Sequence, residues 1–86
     1  MPVLDGVEEL LRGEDAVSGG SRRNRAYADG FTTWADDVPA WRRRLACDAT
    51  TSGGLLAAVP PEGAAAAAGP VIGRLVEGDP GAVLVR

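Results

Sequence analysis

Asp48-Ala49-Thr50-Thr51-Ser52-Gly53-Gly54-Leu55-Leu56 is the stretch on which the reading of this chain turns. One carboxylate, three hydroxyls and two glycines run directly into an apolar segment. A turn into a strand needs less polar punctuation than that. Two chemistries fit. In one, Thr50–Gly54 is an anion-binding turn: glycines let the backbone approach a ligand, exposed N–H groups point at it, and hydroxyls add donors. In the other, Thr and Ser only satisfy backbone groups at a strand entry. The stretch is not a P-loop, because the glycine spacing differs and no Lys follows.

Downstream, Leu55 to Val59 reads as a strand ended by Pro60-Pro61, and a helix is expected from about Pro61 to Ala68. Gly69-Pro70 would end it. Val71 to Glu77 and Ala82 to Val85 read as strands joined by Gly78-Asp79-Pro80-Gly81, a strong turn signal. The second half is therefore expected to be β-α-β-β.

Upstream, Leu4, Val7, Leu10 and Leu11 have helical spacing, with Gly13 placed to close the helix. Residues 14–33 read as loop, with a brief extended piece at Ala26–Ala28. Asp37 before Val38-Pro39 suits a helix start. The following helix carries an apolar stripe of Trp41, Leu45 and Ala46, with Arg42, Arg43 and Arg44 directed to solvent. The fold class expected is α+β, as one domain over residues 1–86 whose core is incomplete. Of the 86 residues, Leu, Ile, Val and Phe supply nineteen, and fifteen apolar positions are alanine, which has little side chain to bury.

Composition narrows the chemistry. The net charge of −3 disfavours nonspecific nucleic-acid binding, whose strength comes from neutralising phosphates. All nine cations are arginine; with neither Lys nor His, the commonest general base and histidine metal ligands are missing. Cys47 is alone, so neither an intrachain disulfide nor a Cys-rich zinc site is available. No His or Lys stands ready to activate it, and a buried, inert thiol is expected. No apolar run approaches the roughly 20 residues of a membrane span, and the N-terminus has no signal-peptide pattern. A cytoplasmic location is the expectation.

A second glycine-rich block is Gly19-Gly20-Ser21-Arg22-Arg23-Asn24-Arg25. Guanidinium groups beside glycines suit a phosphate or carboxylate, which Arg binds bidentately; a solvated basic loop is the plainer alternative. Trp34 and Trp41 are expected to cover the core, and Asp36 and Asp37 to cap a helix.

Taken together, three blocks resemble the C-terminal end of selenophosphate synthetase (selenide, water dikinase), within the aminoimidazole-ribonucleotide-synthetase-like (AIR-synthase-like) ATP enzymes. Val3-Leu4-Asp5-Gly6 leads to Gly19-Gly20-Ser21-Arg22-Arg23-Asn24, where the family has Gly-Gly-Thr-x-x-Asn. Asp48–Leu56 resembles the family's Asp-Pro-Gln-Thr-Ser-Gly-Gly-Leu-Leu. Val71–Gly78 resembles its closing strand and turn. The resemblance implies an AIR-synthase-related C-terminal domain with a mixed sheet. It also implies a role in making selenophosphate, AMP and phosphate from ATP, selenide and water, with magnesium.

The family's catalytic Cys or selenocysteine, essential Lys and metal-binding aspartates lie upstream of the matched region. No residue here corresponds to them, so no catalytic or metal-ligating residue is assigned and the chain alone is expected to bind no cofactor. The resemblance makes Gly19, Gly20, Ser21, Asn24, Asp48, Thr51, Ser52, Gly53 and Gly54 candidates for residues near nucleotide or phosphate, or at a domain interface. Its implied partner is an N-terminal ATP-binding domain or a homologous subunit. Two departures stand out: Ala49-Thr50 replaces Pro-Gln, and the helix after Pro61 is shorter and poorer in large apolar residues. The rival expectations are a small anion- or nucleotide-binding module, and a structural remnant that folds only against a partner.

Overall fold

A computed structural model describes residues 1–50 and 53–86. Helix α1 spans Val7–Arg12 and begins at Gly6, whose φ of +86° is open to glycine at little steric cost. Glu8 and Glu9 lie in its first turn and Arg12 in its last, each complementing the helix dipole. Val7 and Leu11 are half-buried, whereas Leu4 and Leu10 of the expected stripe face out. The inward stripe is thus narrower than the spacing suggested.

Helix α2 spans Gly19–Ala28, where the sequence suggested loop and a short extended piece at 26–28. The cause is local. Ser18 is the N-cap, its hydroxyl accepting a hydrogen bond from the Ser21 backbone N–H at 3.1 Å. The glycines therefore sit in the first turn, where their conformational cost is smallest, and the Arg and Ala that follow are good helix formers. Arg25 and Asp29 form an i,i+4 ion pair at the far end. Because α2 is polar nearly all round, it left no apolar periodicity to read.

Strand β1, Thr32–Trp34, was not anticipated; strand β2, Val83–Val85, lies inside the expected Ala82–Val85. They pair in parallel, Thr32 against Val83, Thr33 against Leu84 and Trp34 against Val85. The ladder is extended by Val83 N–H to Phe31 O at 2.9 Å and Ala35 N–H to Val85 O at 2.8 Å. Helix α3 spans Ala40–Ala46 and packs on α1 and α2. It starts after Pro39 without a side-chain cap, so Asp37 does not cap it; Asp36 and Asp37 are both exposed.

The β-α-β-β expectation fails over much of the second half. The alanine segment forms a 3-10 helix, Pro61–Ala66, in place of an α-helix to Ala68. Short α-helices owe most of their stability to packing an apolar face, and alanines beside Gly63 offer little to pack. Leu55–Val59 forms no strand, and Leu55 is fully exposed at 103 %. Val71–Glu77 forms no strand either. The turn after it explains why. Ala82 N–H bonds Asp79 O at 3.1 Å, with Pro80 and Gly81 between them and Gly81 at φ +83°. Pro followed by a positive-φ Gly is type II turn geometry, and a two-residue type II connection splays the flanking strands where a hairpin needs the opposite twist.

The architecture is α+β in general terms: three short α-helices and a two-stranded parallel sheet among the described residues. Its interior is small, with Val38 and Cys47 at 7 % exposure and Ser21 at 2 %. The chain presents 7144 Å² of accessible surface, where a compact protein of 8.8 kDa presents ~4800 Å². Its radius of gyration is 14.2 Å, against ~12 Å for a compact domain of this length. No helix of the described residues is long and apolar enough to cross a membrane.

Candidate functional site

The two polar blocks singled out in the sequence meet in space, and Ser21 is the meeting point. Its hydroxyl donates to Asp48 Oδ1 at 2.6 Å and accepts from the Ala49 backbone N–H at 3.1 Å. The Ser18 hydroxyl lies 2.9 Å away. Ser21 has one proton, and the short bond to the carboxylate uses it. Ser18 therefore donates to Ser21 while accepting from the Ser21 N–H, a fully consistent assignment.

Helix geometry places these groups. The N-cap turn of α2 holds Ser18 and Ser21 side by side. The end of α3 delivers Asp48, whose N–H bonds Leu45 O at 3.1 Å. Gly20 lets the two segments approach: a Cβ there would stand 3.1 Å from Ala49 Cβ. The chemistry of this knot is that of a brace. A hydroxyl that is 2 % exposed, with its proton on a carboxylate, is neither an accessible nucleophile nor a free donor for a ligand.

The remaining candidates do not join it. Asn24 is exposed on α2. Gly53 and Gly54 are exposed; a Cβ on Gly53 would meet Thr50 Oγ1 at 3.1 Å, and one on Gly54 would meet nothing within 4 Å. Gly54 has no positive φ. Thr51 and Ser52 lie outside the described residues.

Reading the arginines as a solvated face held for Arg42, which stacks on Trp41 at 4.9 Å, and failed for its neighbours. Arg44 Nη1 donates to Leu11 O at 2.6 Å and Arg12 O at 2.8 Å, capping the carbonyl end of α1, and Nη2 reaches Glu14 at 3.3 Å. Arg43 donates to Val38 O at 2.8 Å and Ala35 O at 3.0 Å, holding the loop before α3. Sequence patterning missed both because an arginine that seeks backbone carbonyls looks the same, residue by residue, as one in water.

A second polar cluster surrounds Trp34, which is half-buried. Arg25 lies over its ring at 4.9 Å and Arg43 at 5.9 Å. Asp29 accepts from Arg25 Nε at 2.6 Å and from Trp34 Nε1 at 2.9 Å. The hydrogen bond from Arg25, then that from Trp34, holds the Asp29 carboxyl below its ordinary range. Cys47 lies buried nearby, and burial pushes its thiol above the ordinary value, which disfavours the reactive thiolate.

Among the described residues no group of three or more His, Cys, Asp or Glu is arranged to hold a metal ion. One cleft between α1 and α3 is an open hollow of about 280 Å³ whose walls include Glu8, Arg12, Trp41 and Arg44. Its charged groups are already engaged, Arg12 with Glu8 at 2.6 Å and Arg44 with the end of α1. Compared with protein-family models, with curated proteins and with solved structures, the chain matches none.

Proposed function

We propose that this chain is a non-catalytic structural segment of a selenophosphate-synthetase-like assembly, closing a C-terminal domain against a further layer of protein. The observation that carries this reading is the apolar surface of the second half. Leu55, Leu56, Val71, Ile72, Leu75 and Val76 are all exposed, Leu75 at 87 %. A monomeric soluble domain rarely leaves so many large apolar side chains exposed within one stretch of chain, and such a surface calls for a further layer to cover it.

The Ser21 knot supports the same role. Gly19–Asn24 and Asp48–Leu56, two of the blocks behind the family resemblance, are tied together through Ser21, Asp48 and Ala49. Their polar residues serve to set one segment against another. In the intact family the nucleotide, magnesium and selenide chemistry would come from an ATP-binding domain or a homologous subunit, and this chain would brace the domain beside it.

The test uses the whole chain. With ATP, magnesium and selenide it should form no AMP, and titration with magnesium-ATP should leave Trp34 and Trp41 fluorescence flat. A saturable fluorescence change abolished by replacing Gly53 and Gly54 would overturn the structural reading in favour of a nucleotide-binding module. Selenide-dependent AMP formation would overturn it in favour of an enzyme.

A further inference from the structure

Arg23 and Tyr27 stand four residues apart in α2 and so share one face of the helix, and Phe31 follows just past its end. Phe31 is fixed there by its backbone N–H, which bonds Ala28 O at 3.1 Å. Its ring meets that of Tyr27 edge to face, with centroids 5.3 Å apart at 72°. Tyr27 is 77 % exposed and Phe31 41 %. The other side of the helix is the one that packs: Ser21 is buried, and Arg25 and Ala28 are half-buried.

Charge is sorted in the same way. The α2 sequence holds three arginines and no acidic residue. Arg25 is paired with Asp29 at 2.6 Å. Arg22 and Arg23 are exposed, and among the described residues neither ion-pairs with a carboxylate. Arg22 donates only to the Glu14 backbone oxygen, at 3.2 Å. A chain of net charge −3 thus carries two uncompensated cations one turn before an exposed aromatic pair. Arginine and tyrosine are among the side chains enriched where protein interfaces hold most strongly.

We propose that this face of α2 docks a short acidic segment of a partner protein, its carboxylates on Arg22 and Arg23 and an apolar side chain against Tyr27 and Phe31. One helical turn separates Arg23 from Tyr27, about 6 Å along the axis, which two residues of an extended peptide span. An apolar residue followed two and three positions later by carboxylates matches that spacing. Guanidinium suits carboxylate because it can bind both oxygens at once. A nucleic-acid strand is held by many phosphate contacts together, and two cations on an acidic chain supply too few.

This goes beyond the structural role proposed above and does not rest on it. The experiment is fluorescence anisotropy of a rhodamine-labelled peptide, Gly-Leu-Gly-Glu-Glu-Gly, titrated with the full chain. Saturable binding at sub-millimolar concentration is expected, weakening as salt is raised. Glutamine in place of both peptide glutamates should weaken it about tenfold or more, with the protein itself untouched. Tyr27→Ala should weaken it comparably. The double variant Arg22→Glu, Arg23→Glu should lose the glutamate peptide and bind its lysine counterpart. These protein positions are exposed, so helical circular dichroism should match wild type. Absence of saturable binding, or equal binding of the glutamate and glutamine peptides, overturns the docking face and leaves the structural role standing. Tighter binding of oligouridylate, lost in the double variant, overturns it in favour of a nucleic-acid surface. Selenide-dependent AMP formation would overturn the structural role without touching this face.

Discussion

Replacing Ser21 by alanine should unfasten α2 from the end of α3 while leaving both helices formed. The hydroxyl makes three contacts: it donates to Asp48 at 2.6 Å, accepts from Ala49 N–H at 3.1 Å, and accepts from Ser18 at 2.9 Å. The bond to Ala49 is an ordinary one, worth about 1 kcal/mol net. The bond to Asp48 is charge-assisted, but Asp48 is exposed and water replaces the lost donor, so about 1 kcal/mol is a fair figure there too. The Ser18 bond is local and recoverable, because Ser18 keeps its cap to the residue 21 N–H. The expected loss is about 2 kcal/mol. Small domains have about 0.05–0.15 kcal/mol of stability per residue, and with so little buried interior this chain should lie near the bottom of that range. Amide hydrogen exchange is the assay. The Ala49 amide should lose protection first, by about thirtyfold for 2 kcal/mol, while mid-α2 amides lose less. Asp48→Asn, which keeps an acceptor and removes only the charge, should fall between wild type and Ser21→Ala. An Ala49 amide equally protected in wild type and Ser21→Ala would refute the brace.

Two further outcomes follow from other contacts. Arg44→Ala should fray the end of α1, at a cost of about 1–2 kcal/mol, since it strips donors from Leu11 O and Arg12 O; Arg44→Lys should recover only part of the loss, and chemical shifts of residues 10–13 are the readout. Asp29 has a depressed carboxyl in the folded chain, owing first to its hydrogen bond from Arg25 and next to that from Trp34. A depressed folded value means that its contribution is present above the ordinary carboxylate range of about 4 and is lost as pH falls through the lower, folded value. Trp34 fluorescence should therefore shift on acidification below that range, and Asp29→Asn should abolish the shift.

The legible elements were those with local signals. α1 and α3 showed as apolar spacing flanked by a glycine and a proline, and β2 as a β-branched run after a Pro-Gly turn. α2 was illegible for a definite reason. Its cap is a serine ahead of two glycines, and its surface is polar, so no apolar periodicity marked it. β1 is three residues long and exists only because Val83–Val85 lies beside it. Of the candidate residues, Gly20, Ser21 and Asp48 do belong together, but as a brace; Asn24, Gly53 and Gly54 stand apart in solvent.

The amino-acid sequence by itself determined the α+β class, the thin core and the lack of His and Lys chemistry, because these depend on which residues are present. It also flagged Gly19–Asn24 and Asp48–Leu56 as unusual. Only the tertiary structure decided what they do. Ser21 meets Asp48 across 27 positions of chain, and whether a hydroxyl is a ligand donor or a buried tie depends on which group occupies the other end of its hydrogen bond. The second half shows the converse. Leu55–Val59 and Val71–Glu77 have strand-like composition, yet strand geometry needs a neighbour for its backbone groups and a layer for its apolar face. The type II turn at Asp79–Ala82 steers one segment away from β2, and no described element covers either.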